Sequence, residues 1–206
     1  MHARPLDRET LADWIVHAVG IVGAAAAGAV LLAMAMARAG LPLLPVAVYV
    51  GGLLAMLGCS GAYHVWKSHR YRDWLRRMDH AAIFVMIAGT YTPIAAFAVP
   101  PPWDVIVLAM VWGIAAAGVA LKLARPRAIE AASIALYLLQ GWIGLAVFIA
   151  LLPAWILALI VAGGVVYSAG VLLHLSSRRY SLALWHASVL LGAALHYIAI
   201  AALVVA

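Results

Sequence analysis

The side chains of this sequence best suited to bind a metal ion or to activate a water molecule flank one short basic connection. Ser60 and His64 are four residues apart, so a helix would place them on one face. Asp79 and His80 open the apolar stretch that follows the connection. Ionisable groups inside or beside a membrane span are costly, and we therefore interpret these residues as candidates for a functional site.

Histidine and aspartate in this setting indicate a metal site. Imidazole suits zinc, a carboxylate can orient or activate water, and a catalytic zinc uses about three protein ligands plus a water. We predict one polar site near the inner leaflet that contains His64, Asp79 and His186, with Ser60 beside them. Simpler roles stay open, namely helix packing for Ser60 and an interfacial position beside Trp185 for His186.

The composition is that of a protein that crosses a membrane several times. The chain has 206 residues, of which 68% are hydrophobic and only 10% are charged, and its mean hydropathy is +1.09. A water-soluble exterior needs far more charge than this. The net charge of +6 indicates basic cytoplasmic loops, so no nucleic-acid partner is expected. Cys59 is the single cysteine, which excludes a disulfide within one chain.

The apolar stretches predict an all-α membrane protein built as a bundle of seven transmembrane helices. A span needs roughly 20 apolar residues. Short connections between the stretches favour a single transmembrane domain over residues 1–206. The predicted spans cover about 15–37, 43–65, 81–99, 105–123, 131–151, 154–175 and 182–205.

The basic residues predict the orientation of the bundle. With alternating spans, all but Arg38 fall at one membrane face, and basic residues favour the cytoplasmic face. We therefore expect the N-terminus inside, the C-terminus outside, and a multi-pass protein of the inner (plasma) membrane. The residues at the predicted inner face are Arg4, Arg8, Lys67, Arg70, Arg72, Arg76, Arg77, Lys122, Arg125, Arg127, Arg178 and Arg179.

Several segments together resemble the hemolysin III family, the bacterial branch of the progestin and adiponectin receptor (PAQR) superfamily, which is related more distantly to alkaline ceramidases. The segments are Ser60-Gly-Ala-Tyr-His64, Met78-Asp79-His80, Ala88-Gly-Thr-Tyr-Thr-Pro93 and Trp185-His186, followed by Gly192 and His196-Tyr197. The resemblance implies a seven-helix bundle that binds zinc through one histidine of span two and two of span seven. It implies that His64 and His186 are ligands, with Asp79 and Ser60 around the water.

Leu182 departs from the family pattern, in which the seventh span begins His-x-x-x-His. One expected zinc ligand is therefore absent. Asp79 could bind the metal directly, a nearby histidine such as His174, His80 or His17 could substitute, or the chain could have lost the metal. We predict His64, His186 and Asp79 as metal ligands and Asp79 and Ser60 as catalytic residues, because two histidines and one carboxylate form a recognised catalytic zinc set.

Three functions compete at this stage. The first is a ceramidase-like, metal-dependent hydrolase that acts on a lipid amide or ester, with membrane lipids as partners and substrate. The second is a non-enzymatic sensor or regulator of membrane state, which Leu182 favours. Cytolysis or transport ranks last, because a conducting path needs polar residues through the whole bilayer and the outer halves of the spans are almost wholly apolar.

Overall fold

A computed structural model describes residues 7–66, 70–124 and 130–206, apart from the side chains of residues 130 and 131. Within these ranges the chain forms helices and no strands, and seven stretches are long and apolar enough to cross a membrane. The predicted seven-helix fold is thus confirmed. The helices are α1 (Arg8–Ala37), α2 (Leu43–Val65), α3 (Arg72–Ala98), α4 (Trp103–Ala124), α5 (Glu130–Trp142), α6 (Leu145–Leu151), α7 (Ala154–His174) and α8 (Ser181–Val205).

The orientation of the bundle stays a prediction. Part of the charge pattern that supports it falls on Arg4, Lys67, Arg125 and Arg127, which lie outside the described residues.

Two helices begin well before the predicted spans. α1 starts at Arg8 and not near residue 15, because Asp7 caps it: the Thr10 amide donates to Asp7 Oδ1 at 2.8 Å. α3 starts at Arg72 and not near residue 81. Hydropathy marks only the apolar part of a helix, so the predicted spans left out the polar N-terminal segments of α1 and α3. Those segments carry Asp13 in α1 and Asp79 in α3.

α3 lies at the centre of the bundle and packs against α2, α4, α5 and α8. Its Phe84 side chain is fully buried, and Gly118 of α4 permits the approach, since a Cβ there would lie only 2.5 Å from the phenyl ring. α1 packs against both α2 and α8 and closes that side of the bundle. The start of α1, the end of α2 and the starts of α3 and α8 therefore come together at one end of the bundle.

The fifth span is divided at residues 143 and 144, a break that its apolar pattern does not predict. The Tyr91 hydroxyl on α3 donates to the Gly141 carbonyl at 2.7 Å and accepts from the Gly144 amide at 3.2 Å. Backbone groups in a membrane must find partners inside the protein, and Tyr91 supplies partners for two groups beside the break. The break thus depends on a side chain from a neighbouring helix.

Candidate metal centre

Three helices bring a largely buried polar cluster together at the end of the bundle where α3 begins. α1 contributes Asp13 and His17, α2 contributes His64, and α8 contributes His186. The ring centroids of His17 and His186 are 4.3 Å apart, and those of His64 and His186 are 4.6 Å apart. Asp13, His17, His64 and His186 are hereafter the histidine cluster.

The Asp13 carboxylate lies at the centre of these three imidazoles. Its Oδ1 is 2.5 Å from His186 Nδ1, and its Oδ2 is 3.7 Å from the Nδ1 atoms of both His17 and His64. Asp13 is only 4% exposed. A buried carboxylate is costly unless it is hydrogen-bonded or bound to a cation, so this arrangement indicates a site that takes up a proton or a metal ion.

The donor set fits a divalent metal ion. Asp13, His17 and His186 each offer a ligand atom, and these atoms all lie within 4.8 Å of one another. Nδ1 of His17 lies 2.9 Å from the Asp13 carbonyl oxygen and must donate to it, because a carbonyl only accepts. The lone pair of neutral His17 is therefore on Nε2. The other ring nitrogen, Nδ1, donates to a backbone carbonyl, as is usual for metal-binding histidines.

The contact between Asp13 and His186 is a hydrogen bond, with Nδ1–H donating to the carboxylate. Two ligand atoms of a tetrahedral zinc lie ~3.3 Å apart when each bond is about 2.0–2.2 Å long. The 2.5 Å separation is too short for that. If both atoms bind one metal, they must move apart and the proton between them must leave, since ligands bind metal only when deprotonated.

Ser60 and Asp79 border the histidine cluster. Ser60 Oγ is 3.2 Å from His17 Nε2, and the Ser60 side chain also lies near the Asp79 carboxylate. Both residues are buried and line the same cavity as His17, His64 and His186. The structure thus brings the four predicted site residues Ser60, His64, Asp79 and His186 to one cavity, and their catalytic and ligand roles stay predictions.

The structure places Asp13 where the sequence analysis expected the carboxylate of Asp79. Among the described residues, those grouped closely enough to hold a metal are Asp13, His17 and His186. Of the three predicted ligands, this group contains His186 and leaves out His64 and Asp79. No prediction named Asp13, although its spacing from His17, four residues along one helix, was a usable signal. The predicted first span began at residue 15, so Asp13 fell outside the stretch searched for buried polar groups.

Of the three histidines considered as substitutes for the missing ligand, His17 lies in the histidine cluster. His174 packs against the Trp185 ring with centroids 5.3 Å apart. His80 lies against Lys122, whose Nζ is 3.2 Å from His80 Nδ1. Leu182 lines the cavity, one helical turn before His186.

The cavity next to the histidine cluster has a volume of about 390 Å³. This volume lies within the range of roughly 300–1,000 Å³ that is usual for small-molecule sites. Apolar side chains make up much of its wall, including Leu57, Met86, Leu138 and Val189, and His196 lies on it as well. A polar cluster on an apolar cavity is suited to an amphiphilic ligand.

Comparisons with known proteins support the family resemblance drawn from the sequence. A family model described as "Haemolysin-III related" matches residues 6–197. The chain is 32% identical over 127 residues to "Hemolysin-3" of Bacillus cereus, which covers 58% of this chain and 57% of that protein. It is 27% identical over 195 residues to "Hemolysin-3 homolog" of Bacillus subtilis (strain 168), which covers 91% of this chain and 90% of that protein. No solved structure gave a significant match.

Proposed function

The chain belongs to the haemolysin-III-related family, and we propose that it is an enzyme of the inner (plasma) membrane that hydrolyses a lipid amide or ester with zinc bound by Asp13, His17 and His186. The observation that carries the proposal is the buried carboxylate within 3.7 Å of three imidazoles. A cavity of lipid-compatible chemistry adjoins it. An alternative role in helix packing alone would not need buried ionisable groups, which are costly in a membrane. Four lie at this site: Asp13, His17, Asp79 and His186.

Each residue of the proposed zinc site has its own role. His17 presents Nε2 because its Nδ1–H is held by the Asp13 carbonyl. Without metal, Asp13 holds His186 in place by accepting its Nδ1–H, and that proton leaves when both residues serve as ligands. Zinc, when bound, would supply a Lewis acid that polarises a carbonyl and makes water a stronger nucleophile at neutral pH. The low exposure of Asp13, His17 and His186 keeps bulk water away and so strengthens electrostatic interactions in the site.

Asp79 and Ser60 are the proton carriers in this proposal. The Ser60 hydroxyl has one proton, which can go to His17 Nε2 or to the Asp79 carboxylate. When Nε2 serves as a ligand, Ser60 donates to Asp79 and fixes its orientation. The Asp79 carboxylate then accepts a proton from the attacking water as a general base.

The test is hydrolysis of acyl amides and acyl esters by purified protein in defined lipid, before and after metal removal by a chelator. The proposal expects turnover that is lost on chelation, returns with zinc, and falls by about 10²–10⁴-fold in Asp79→Asn, the usual contribution of a general base. Glu9→Gln is the matched control, because it removes a half-exposed carboxylate four residues before Asp13. Turnover that survives complete metal removal would refute the proposal.

A non-enzymatic regulator of membrane state is the second candidate, and Leu182 in place of the expected histidine favours it. In that case Asp13 and His186 stay hydrogen-bonded, and the histidine cluster holds a proton in place of a metal ion. Purified protein that binds no zinc and turns over neither amides nor esters would support this candidate over the hydrolase.

A further inference from the structure

A pair of polar rings lies further along α8, on the wall of the same cavity. Tyr167 of α7 and His196 of α8 both line this cavity, and their ring centroids are 5.5 Å apart. His196 follows His186 by ten residues, which is about 15 Å along the axis of α8. Tyr167 and His196 are hereafter the deep pair, and they lie at the opposite end of the cavity from the histidine cluster.

Two glycines let the rings of the deep pair lie between α7 and α8. A Cβ at Gly192 would lie 2.8 Å from the Tyr167 ring, and a Cβ at Gly163 would overlap the His196 ring. An ionisable side chain inside a membrane span is costly and usually marks a functional site. Since an apolar side chain would serve for packing alone, we searched the deep pair for hydrogen-bonding groups that a ligand could use.

His196 offers a hydrogen-bond acceptor to the cavity. Its Nε2 is 3.0 Å from the Ile160 carbonyl oxygen and must donate to it, because a carbonyl only accepts. The lone pair of the neutral ring is therefore on Nδ1. Within the described residues no donor reaches Nδ1, and this atom is not fully enclosed, so it opens onto the cavity that His196 lines.

The Tyr167 hydroxyl is also open to a ligand. It makes no hydrogen bond within the part of the chain that the structure describes, and it is not fully enclosed. Neighbouring polar groups on the cavity wall bond to each other instead. Trp142 Nε1 donates to Ser168 Oγ at 3.1 Å, and Ser168 Oγ donates to the Gly164 carbonyl at 2.8 Å. The deep pair therefore offers hydrogen-bonding groups that these neighbours do not.

A hydroxyl group is the ligand group that best fits the deep pair. It can donate to His196 Nδ1 and accept from the Tyr167 hydroxyl at the same time. A ketone oxygen only accepts, and it would leave His196 Nδ1 without a donor. An ammonium group would bring a charge into the membrane span, at a higher cost. The chemistry of the two rings thus favours an alcohol.

We propose that the deep pair binds a hydroxyl group partway along the acyl chain of the lipid that is hydrolysed at the histidine cluster. The inference rests on the proposed function, because it names the substrate class of that site. Val189 and Leu190 lie between the two ends of the cavity on α8, line it, and contact the methylene groups of the chain.

The distance between the two ends of the cavity sets the position of the hydroxyl. An extended chain with bonds of about 1.5 Å advances about 1.3 Å per carbon. The separation of about 15 Å along α8 therefore corresponds to roughly 12 carbons between the scissile carbonyl and the hydroxyl. Apolar chains without this group leave both members of the deep pair without a partner.

Four amides of one chain length test the inference as ligands of the purified full-length protein: 12-hydroxystearamide, 2-hydroxystearamide, 12-oxostearamide and stearamide. Binding is measured after metal removal, so that zinc-dependent turnover does not consume the ligands. We expect 12-hydroxystearamide to bind about tenfold or more tightly than each of the others, because its hydroxyl alone can complete both hydrogen bonds. Any of the other three amides that binds as tightly as 12-hydroxystearamide would overturn the inference.

Two variants locate the site. Tyr167→Phe and His196→Phe each remove one hydrogen-bonding group of the deep pair and keep an aromatic ring. Each should reduce the preference for 12-hydroxystearamide over stearamide by about fivefold or more. Tyr197→Phe is the matched control, because it removes a hydroxyl that already donates to the Ala27 carbonyl. An unchanged preference in Tyr167→Phe, or an equal loss in Tyr197→Phe, would refute the assignment, whether or not His196→Phe folds.

Binding to metal-free protein separates this inference from the proposed function, because the deep pair contains none of the proposed zinc ligands. A preference for 12-hydroxystearamide without any zinc-dependent turnover would support the deep pair and count against the hydrolase. Zinc-dependent turnover of stearamide without that preference would count against the substrate class alone.

Discussion

Asp13 is the residue on which the candidate centre depends, since its carboxylate lies within 3.7 Å of the Nδ1 atoms of three imidazoles. The meeting of His64 and His186 could be predicted, because alternating spans bring their ends to the same face. The same reasoning misses Asp13, because the span predicted from hydropathy leaves out the polar N-terminal segment of α1. An aspartate four residues before a histidine is the sequence signal that identifies it.

The contribution of Asp13 can be compared with that of the histidine expected at position 182. Asp13→Asn should weaken zinc binding by about 10–100-fold, the usual cost of losing a group that orients or completes a metal site. Adding Leu182→His to that variant should recover much of the affinity, because residue 182 lies one turn before His186 on α8. Zinc titration of both proteins is the measurement.

Leu182→Ala in the same Asp13→Asn background is the matched control, since it alters the same cavity position without adding a ligand. If the histidine and alanine double variants bind zinc equally weakly, position 182 does not face the metal and this interpretation of Leu182 fails.

Individual helices position the site through features that depend on other parts of the chain. α1 reaches back to Arg8 because Asp7 caps it, which a local pattern can reveal. The break in the fifth span is different: glycines are common in membrane helices, and the hydroxyl that bonds the backbone there belongs to Tyr91, fifty residues earlier. Pairings of this kind cannot be read from the apolar pattern of one span.

Tyr91→Phe should destabilise the protein, because it leaves the Gly141 carbonyl and the Gly144 amide without the hydroxyl. An unsatisfied buried backbone group costs about 1–3 kcal/mol. Thermal unfolding in detergent should therefore show a clear fall in Tm. Tyr197→Phe removes a hydroxyl that makes one hydrogen bond within the described residues, to the Ala27 carbonyl at 3.0 Å, and should have the smaller effect. The reverse order would show that Tyr91 does not hold the break.

At the scale of the whole molecule, composition and span length were enough to predict a seven-helix membrane bundle, because satisfying the backbone in lipid leaves few alternatives. The convergence of α1, α2, α3 and α8 at one end required the three-dimensional structure, since seven helices can be arranged in several ways. His17, His64 and His186 of the histidine cluster line one cavity, together with Ser60 and Asp79.

Orientation is the whole-molecule prediction still to be tested. The basic residues predict that the N-terminus and the histidine cluster lie at the cytoplasmic face and that Ala206 lies outside. Alkaline phosphatase fused after Ala206 should be active, and a cytosolic fluorescent reporter at that position should be dark. A fluorescent fusion without phosphatase activity would put the site at the opposite face.

The most direct test of the central claim is the zinc content of purified protein, compared among wild type, Asp13→Asn and Glu9→Gln. If Asp13, His17 and His186 are the ligands, wild type and Glu9→Gln should contain about one zinc per chain. Asp13→Asn should bind zinc at least about tenfold more weakly. Wild-type protein that binds no transition metal, or Asp13→Asn protein that binds zinc as tightly as wild type, would contradict the account.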